Sequence, residues 1–400
     1  RQSGLLPVVA PERYEEQLAE KVGEVTAKFA RFGMPAPEVF KSAPQNYRNR
    51  AEFRVWHEGS EAYFIMFERR DGGKDMMRVR MDSYPVGTVL VNQLMTAIMA
   101  EVKEHEVLKK KLYQVNFHTT QSGDAMVTMI YHVPVKQPWI DAAKALRQRL
   151  KDACPALKVD LPQVIGRSRK QKVALDCDHV TEWMSVDGRD LQYMQNEGAF
   201  SQPNGGMCQQ MLNWAHSVTK GSEGDLVELY CGNGNFTLAL ANNFAQVLGT
   251  EVSKTSTAAA KHNIEVNKTD NVFVGRVSAE EFTEAWKTGK KMTRLEERDL
   301  KESYDFRTVL VDPPRAGLDE DTVKMVQDFE HIVYISCNPD TLEDNLDDIT
   351  RSYRVEKFAV FDQFPYTHHL ECGVYLTRKT PKRKANEAEE DGEAQAEAAP

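Results

Sequence analysis

From about residue 204 the chain alternates short apolar runs with helix-length amphipathic ones, and that rhythm leaves few architectures open. Strands are expected at 226–230, 246–250, 272–275, 308–311, 332–336 and 372–376. Strands separated by helical stretches build a parallel sheet covered by helices on both faces, an α/β fold. In such sheets ligands bind beyond the carboxyl ends of the strands, and the chemistry-bearing residues of this sequence gather there.

The front half has a different texture. Residues 11 to about 32 read as an amphipathic helix, with Tyr14, Leu18, Val22, Val25 and Phe29 three or four apart and Gly33 as the stop. Alternating strands follow at 51–57 and 62–69, and 114–120 pairs with 125–133 across Ser122-Gly123-Asp124. Helical patterns at about 88–112 and 138–153 interrupt them. The expected organisation is a helical segment over 1–40 that can pack on the C-terminal half, an α+β domain over 41–195, an α/β domain over 196–379 and a disordered acidic tail over 380–400.

With 400 residues, 41% of them apolar, the chain can bury a core in each of two domains. No run nears the roughly 20 apolar residues needed to cross a bilayer and no signal-peptide pattern opens the sequence, so a cytoplasmic protein is expected. The six cysteines (Cys154, Cys177, Cys208, Cys231, Cys337 and Cys372) lack C-x-x-C spacing, which argues against a disulfide framework, a zinc site and an iron–sulfur cluster alike. His368, His369 and Cys372 find no second ligand pair, so no metal is expected. A net charge of -9 speaks against nucleic acid until its distribution is read. Residues 381–400 hold six acids against three bases, whereas 144–172 hold nine Lys/Arg against two acids, a segment charge of +7. That segment suits a basic patch on one domain.

Three strand ends carry chemistry. In Ile332-Val-Tyr-Ile-Ser-Cys337-Asn338-Pro339 an apolar strand runs into a cysteine, with Asn338 suited to an N-cap and Pro339 to the first helical position. Unpaired amides and the helix dipole there favour a thiolate, although a cysteine at a strand end is also commonly just core. Leu226-Val-Glu228-Leu-Tyr230-Cys-Gly232-Asn-Gly234-Asn235-Phe-Thr237 is a strand and a glycine turn opening a helix, and Glu251 follows one βα unit later, where ribose hydroxyls bind. Taken alone, this does not separate a dinucleotide from S-adenosylmethionine. Thr237 in place of a third glycine, and Glu228 near a cationic methionyl group, lean towards the latter. In Val311-Asp312-Pro313-Pro314-Arg315 the prolines fix an extended path that meets a flat ligand, and Arg315 stands where amino-group methylation normally has an aromatic.

Together Glu228–Phe236, Val311–Leu318, Ile335–Leu342 and Phe364–Val374 resemble, in order, the signatures of the RNA 5-methyluridine methyltransferase family, and Tyr47-Arg48-Asn49-Arg50-Ala51-Glu52-Phe53-Arg54 is similar to its bacterial tRNA (uracil-5-)-methyltransferase branch. The resemblance implies a Rossmann-like S-adenosylmethionine-dependent methyltransferase domain preceded by an α+β RNA-recognition domain, acting as a monomer on the T-loop uridine at tRNA position 54. It further implies Cys337 as the nucleophile and Glu371 as the base. S-adenosylmethionine contacts fall to Gln202, Tyr230, Asn235, Glu251 and Asp312. Ribosomal-RNA relatives usually add an OB-type domain and a cysteine cluster, and this chain has neither. The chemistry is coherent: uracil C5 is a weak nucleophile until a thiolate adds at C6, and afterwards a base must remove the C5 proton before the cysteine leaves. A stacked uridine must also be flipped out, so a second surface has to grip the RNA; Arg48, Arg50, Arg54, Tyr113 and His132 are its candidates. The competing readings are a ribosomal-RNA uracil methyltransferase, a nucleotide-cofactor oxidoreductase and a non-catalytic RNA-binding protein.

Overall fold

A computed structural model describes residues 6–69, 76–295 and 299–380, so the expected acidic tail from 381 onwards lies outside the described residues. Helix α1 (Tyr14–Phe29) buries Tyr14, Leu18, Val25 and Phe29 along one stripe. It ends through a short 3-10 turn at Gly33, whose φ of 65° gives the left-handed stop. After β1 (Glu38–Phe40) come β2 (Arg50–Glu58), β3 (Glu61–Arg69) and β4 (Met76–Arg80), then α2 (Val89–Glu104), α3 (Glu106–Lys109), β5 (Leu112–Thr119), β6 (Ala125–Tyr131), α4 (Gln137–Ala153), β7 (Gln163–Ser168) and β8 (Gln171–Ala174).

These form a seven-stranded sheet in the order β4-β3-β2-β5-β6-β7-β8, antiparallel except where α4 makes the crossover between parallel β6 and β7. Phe53, Phe64, Val115 and Phe117 pack with Leu94, Ile98 and Leu146 of α2 and α4. Alternation turns Arg54 and Trp56 to the other face.

A hairpin of β9 (His179–Val186) and β10 (Arg189–Asn196) follows, joined by Asp187-Gly188 with φ of 48° and 75°. Two positive φ values make the tight turn that Asp-Gly favours, and this dipeptide is the local signal that hydrophobic periodicity passed over. Met184, Val186, Leu191 and Tyr193 of the hairpin share a core with Met211 and Leu212 of the following helix.

The C-terminal half runs α5 (Gly205–Val218), β11 (Asp225–Leu229), α6 (Asn235–Leu240), β12 (Val247–Thr250), α7 (Lys254–Val266), β13 (Val272–Gly275), α8 (Ala279–Thr288), α9 (Leu300–Ser303), β14 (Phe306–Val311), α10 (Glu320–Val326), β15 (His331–Ser336), α11 (Pro339–Ser352), β16 (Tyr353–Phe361) and β17 (Glu371–Arg378). The sheet order is β1-β16-β17-β15-β14-β11-β12-β13. Strands β11 to β15 are mutually parallel as the rhythm predicts, but β17 is antiparallel to both neighbours. Strand β16 escaped the sequence reading because Arg354, Glu356 and Lys357 break its apolar alternation.

Helix α1 is part of this second body: Phe29 packs on Phe358 with ring centroids 5.7 Å apart, and Lys21 donates to Asp362 at 2.5 Å in a nearly dry setting. Gln17 also donates to Asp362, and Lys21 to the Phe364 carbonyl. Burial pulls the Lys21 ammonium below its usual range, while Asp362 pulls it back up. Removing one partner strands the other charge. Lys21→Ala is therefore expected to cost about 3–5 kcal/mol in urea unfolding, with most of it recovered when Asp362→Leu is combined with Lys21→Met.

Candidate active site

The carboxyl edge of the second sheet is organised by register. Leu229 pairs with both Thr250 and Val311, so Tyr230, Glu251 and Asp312, each one residue further on, stand in a row. Between the antiparallel strands, Ser336 pairs with Cys372. The next position sets Cys337 opposite Glu371, and Glu371 in turn pairs with Phe361 of β16. Cys337 and Glu371, far apart in sequence, thus meet at one edge.

Cys337 is half-buried just before α11, where Asn338 caps the helix by accepting from the Asp340 amide and Pro339 occupies the first turn. The Asn338 side chain also donates to the Arg315 carbonyl at 2.9 Å, tying the Asp-Pro-Pro-Arg loop to the cysteine. The expected thiolate does not follow from this geometry. Burial pushes the Cys337 thiol up to about 11, and the nearby Glu371 and Asp312 carboxylates push the same way, against Arg315. Desolvation and two acids outweigh the helix terminus.

Glu371 is buried, and its Oε2 has no hydrogen-bond partner. Burial raises its carboxyl to about 8, with Asp312 adding to the rise and Arg315 opposing it. Asp312 is half-buried and burial raises it to about 7. Three acidic groups that hold their protons above their ordinary ranges form an edge that favours an arriving cation.

Across the row, Tyr230 has φ 62°, which turns the chain from β11 into the glycine loop. Gly232 and Gly234 also have positive φ, and a Cβ built on Gly232 meets nothing within 4 Å, so there is room beside the loop. The Glu251 carboxylate accepts from the Gly232 amide at 3.0 Å and the Ser253 amide at 2.7 Å. Asn235 opens α6 and donates to Cys208 Sγ. Gln202 accepts from Gln363 Nε2 at 2.7 Å, in the segment leading into α5. Glu228, read from sequence as suited to a cation, is instead sealed inside β11, where the Thr237 hydroxyl donates to it at 2.5 Å. This bond also explains a threonine where a third glycine is otherwise expected.

The front-sheet candidates divide in two. Arg50 donates to the Ala199 carbonyl and to Ser201, and Arg48 donates to the Arg50 carbonyl and lies 5.7 Å over Phe364; both line the seam between the two sheets. Arg54 stacks 3.9 Å over Tyr113, whose ring meets His132 at 4.3 Å, on the outer face. Asn49, singled out only as part of a motif, fixes the seam: its amide donates to the Pro203 carbonyl and its side chain accepts from Gly205. Lys21, Asp362 and Gln363 had no role in the sequence reading.

Among the described residues no group of three or more His, Cys, Asp or Glu is placed to hold a metal ion, and no helix is long and apolar enough to cross a membrane. The tRNA (uracil-5-)-methyltransferase family model matches residues 13–379. The chain belongs to that family. A tRNA/tmRNA (uracil-C(5))-methyltransferase of Vibrio parahaemolyticus is 51% identical over 373 residues, covering 93% of this chain and 98% of the relative. One of Shewanella amazonensis is 50% identical over 369 residues, covering 92% and 98%. Among solved structures, the tRNA (uracil-54, C5)-methyltransferase of Pyrococcus abyssi in complex with S-adenosyl-L-homocysteine superposes with a TM-score of 0.65 at 20% identity, covering 91% of this chain and 83% of that one, which shows a shared fold.

The electrostatics of Cys337 are open to direct measurement. With a thiol near 11, alkylation by iodoacetamide, followed by peptide mass mapping, is expected to climb about tenfold per pH unit from pH 7 to 10. Glu371→Gln removes a negative neighbour and so lowers the thiol pKa and speeds alkylation at pH 9. A profile that levels off at pH 8 contradicts this.

Proposed function

We propose that this chain methylates C5 of a uridine in tRNA, the T-loop uridine at position 54, with S-adenosylmethionine as donor. Family membership supports the reaction class; the observation that carries the residue roles is the β15–β17 register, whose last pair Ser336–Cys372 leaves Cys337 and Glu371 next to each other at the sheet edge.

The donor's site is built from the row at the sheet edge, and the residues suit it. Open space at Gly232, a Glu251 carboxylate fixed by two amides yet with acceptor capacity left, and the Asp312 edge match a ribose and a cation. Tyr230, Asn235 and Gln202 complete the set. When bound, S-adenosylmethionine supplies an electrophilic methyl group on a positive sulfonium.

The steps then fall to the chain. Cys337 gives up its thiol proton to solvent and its sulfur bonds to C6 of the uracil, which places an enolate electron pair on C5. After C5 has been methylated it still carries its hydrogen. The Glu371 carboxylate takes that proton, the pair re-forms the C5–C6 double bond, and Cys337 leaves as thiolate. One proton is released per turnover. The raised Glu371 suits this role, since a carboxylate that favours its proton is the stronger base.

RNA is proposed to be held by the front sheet, with Arg54, Tyr113 and His132 presenting cation and ring edges outward while Arg48 and Arg50 line the seam towards the site. One chain carries every group, so a monomer suffices, and a tRNA substrate sets the cytoplasm as the compartment proposed.

The decisive experiment is a gel of enzyme with T-arm RNA and S-adenosylmethionine. Glu371→Gln is expected to accumulate a covalent enzyme–RNA species carrying the methyl group, and Cys337→Ala is expected to abolish both methylation and that species. Near-normal release of 5-methyluridine by Glu371→Gln without an adduct would overturn the role of Glu371. Glu251→Ala is expected to weaken S-adenosylmethionine binding by about 1.5–3 kcal/mol in calorimetry, the worth of a charge-assisted hydrogen bond.

A further inference from the structure

The segment between β16 and β17 carries a polar group that the proposed reaction leaves without a task. Gln363 is fully buried, and all but one of its hydrogen-bonding groups are committed. Its amide donates to the Phe361 carbonyl at 2.8 Å, its carbonyl accepts from Asn204, and its Nε2 donates to Gln202 Oε1 at 2.7 Å. Oε1 alone has no partner, closed off from solvent. A buried acceptor left bare is costly, so its retention calls for a donor that arrives from outside the chain.

The place of Gln363 says which donor. Glu371 Oε2 is the other buried, partnerless oxygen of this edge, and Glu371 pairs with Phe361, two residues before Gln363. Phe361 packs against Trp214 of α5, and Gln363 is held by Gln202 and by Asn204, the N-cap of α5, so Gln363 and Glu371 belong to one wall. Both are shut from solvent on the same side of the segment that joins β16 to β17.

We propose that Gln363 Oε1 accepts the N3–H of the target uracil and so acts as a specificity-determining residue; this rests on the methylation reading above. Uracil presents a donor at N3, whereas cytosine presents an acceptor there, which would face Oε1 lone pair to lone pair. The Gln202 contact orients the amide, using one Nε2 hydrogen and leaving Oε1 as the free acceptor. A site built to bond one donor rejects an analogue lacking it far better than an apolar pocket does.

The test is a double-mutant cycle on kcat/KM with T-arm RNA carrying uridine or 3-deazauridine, which lacks the N3–H, at the target position, for wild-type enzyme and Gln363→Met. The cycle cancels the different intrinsic reactivity of the two bases. Gln363→Met is expected to lower kcat/KM on uridine by about tenfold to a hundredfold while changing the 3-deazauridine value about tenfold less, whatever the shared loss from releasing Gln202. Equal losses on both bases would overturn the inference, and so would weakened S-adenosylmethionine binding with base discrimination intact, which would assign Oε1 to the cofactor. If wild-type enzyme fails to methylate the uridine RNA at all, the reading of the reaction falls instead, an outcome separate from either.

Discussion

The buried contact of Lys21 with Asp362 joins the two ends of the chain, and the proposed site hangs from it. Asp362 closes β16 and opens the segment that returns to Glu371, so whatever fixes Asp362 fixes the approach to the base. Helix α1 reaches this segment through four hydrogen bonds, from Lys21 to Asp362 and the Phe364 carbonyl, and between Gln17 and both Asp362 and the Tyr366 amide. The front half adds Tyr47, whose hydroxyl donates to the Pro365 carbonyl, and Pro44, whose carbonyl accepts from Tyr366. A loop of nine residues so bound is a rigid support, and rigidity is what a base needs if it is to meet one particular C–H bond.

Electrostatics at the sheet edge give this geometry a direction. Asp312, Glu371 and Cys337 all hold protons above their ordinary ranges, mainly because they are buried; Asp312 adds to the rise at Glu371, and both carboxylates add to that at Cys337. Arg315 opposes the rise at Glu371 and Cys337. A bound sulfonium would bring a second positive charge to the same edge and draw all three towards their ionised forms. On the reaction proposed above, that charge offsets part of the cost of ionising the thiol and the carboxyl in a buried setting.

Legibility in the sequence followed the range of the physics. The parallel strands, α1 and its glycine stop, and the cap at Asn338-Pro339 are local patterns, and each stands where periodicity or capping chemistry predicts. The motifs at the strand ends were legible as chemistry because ligand sites in this architecture lie at those ends. Features that depend on remote partners were not. Strand β16 is stabilised as a strand by β1 and β17 despite its charged residues, and nothing near Lys21 announces that it will be buried against a residue 341 positions away. The Cys337 thiol shows the contrast, since the helix terminus that favours a thiolate is a local effect, whereas the burial that pushes the thiol up, with Glu371 and Asp312 adding to it, depends on β14 and β17.

The same contrast separates the arginines of the front sheet. Arg48, Arg50 and Arg54 alternate along one stretch and look equivalent in sequence, yet Arg50 is spent on the Ala199 carbonyl and Ser201 while Arg54 lies on an open tyrosine face. Removing Arg50 therefore disturbs the segment that leads to Gln202 as well as any charge presented to RNA. Arg54 has no such second duty, so the electrostatic share of RNA binding is cleanest to measure there. Two arginines four residues apart on one strand thus carry different burdens, because the seam between the sheets crosses the strand between them.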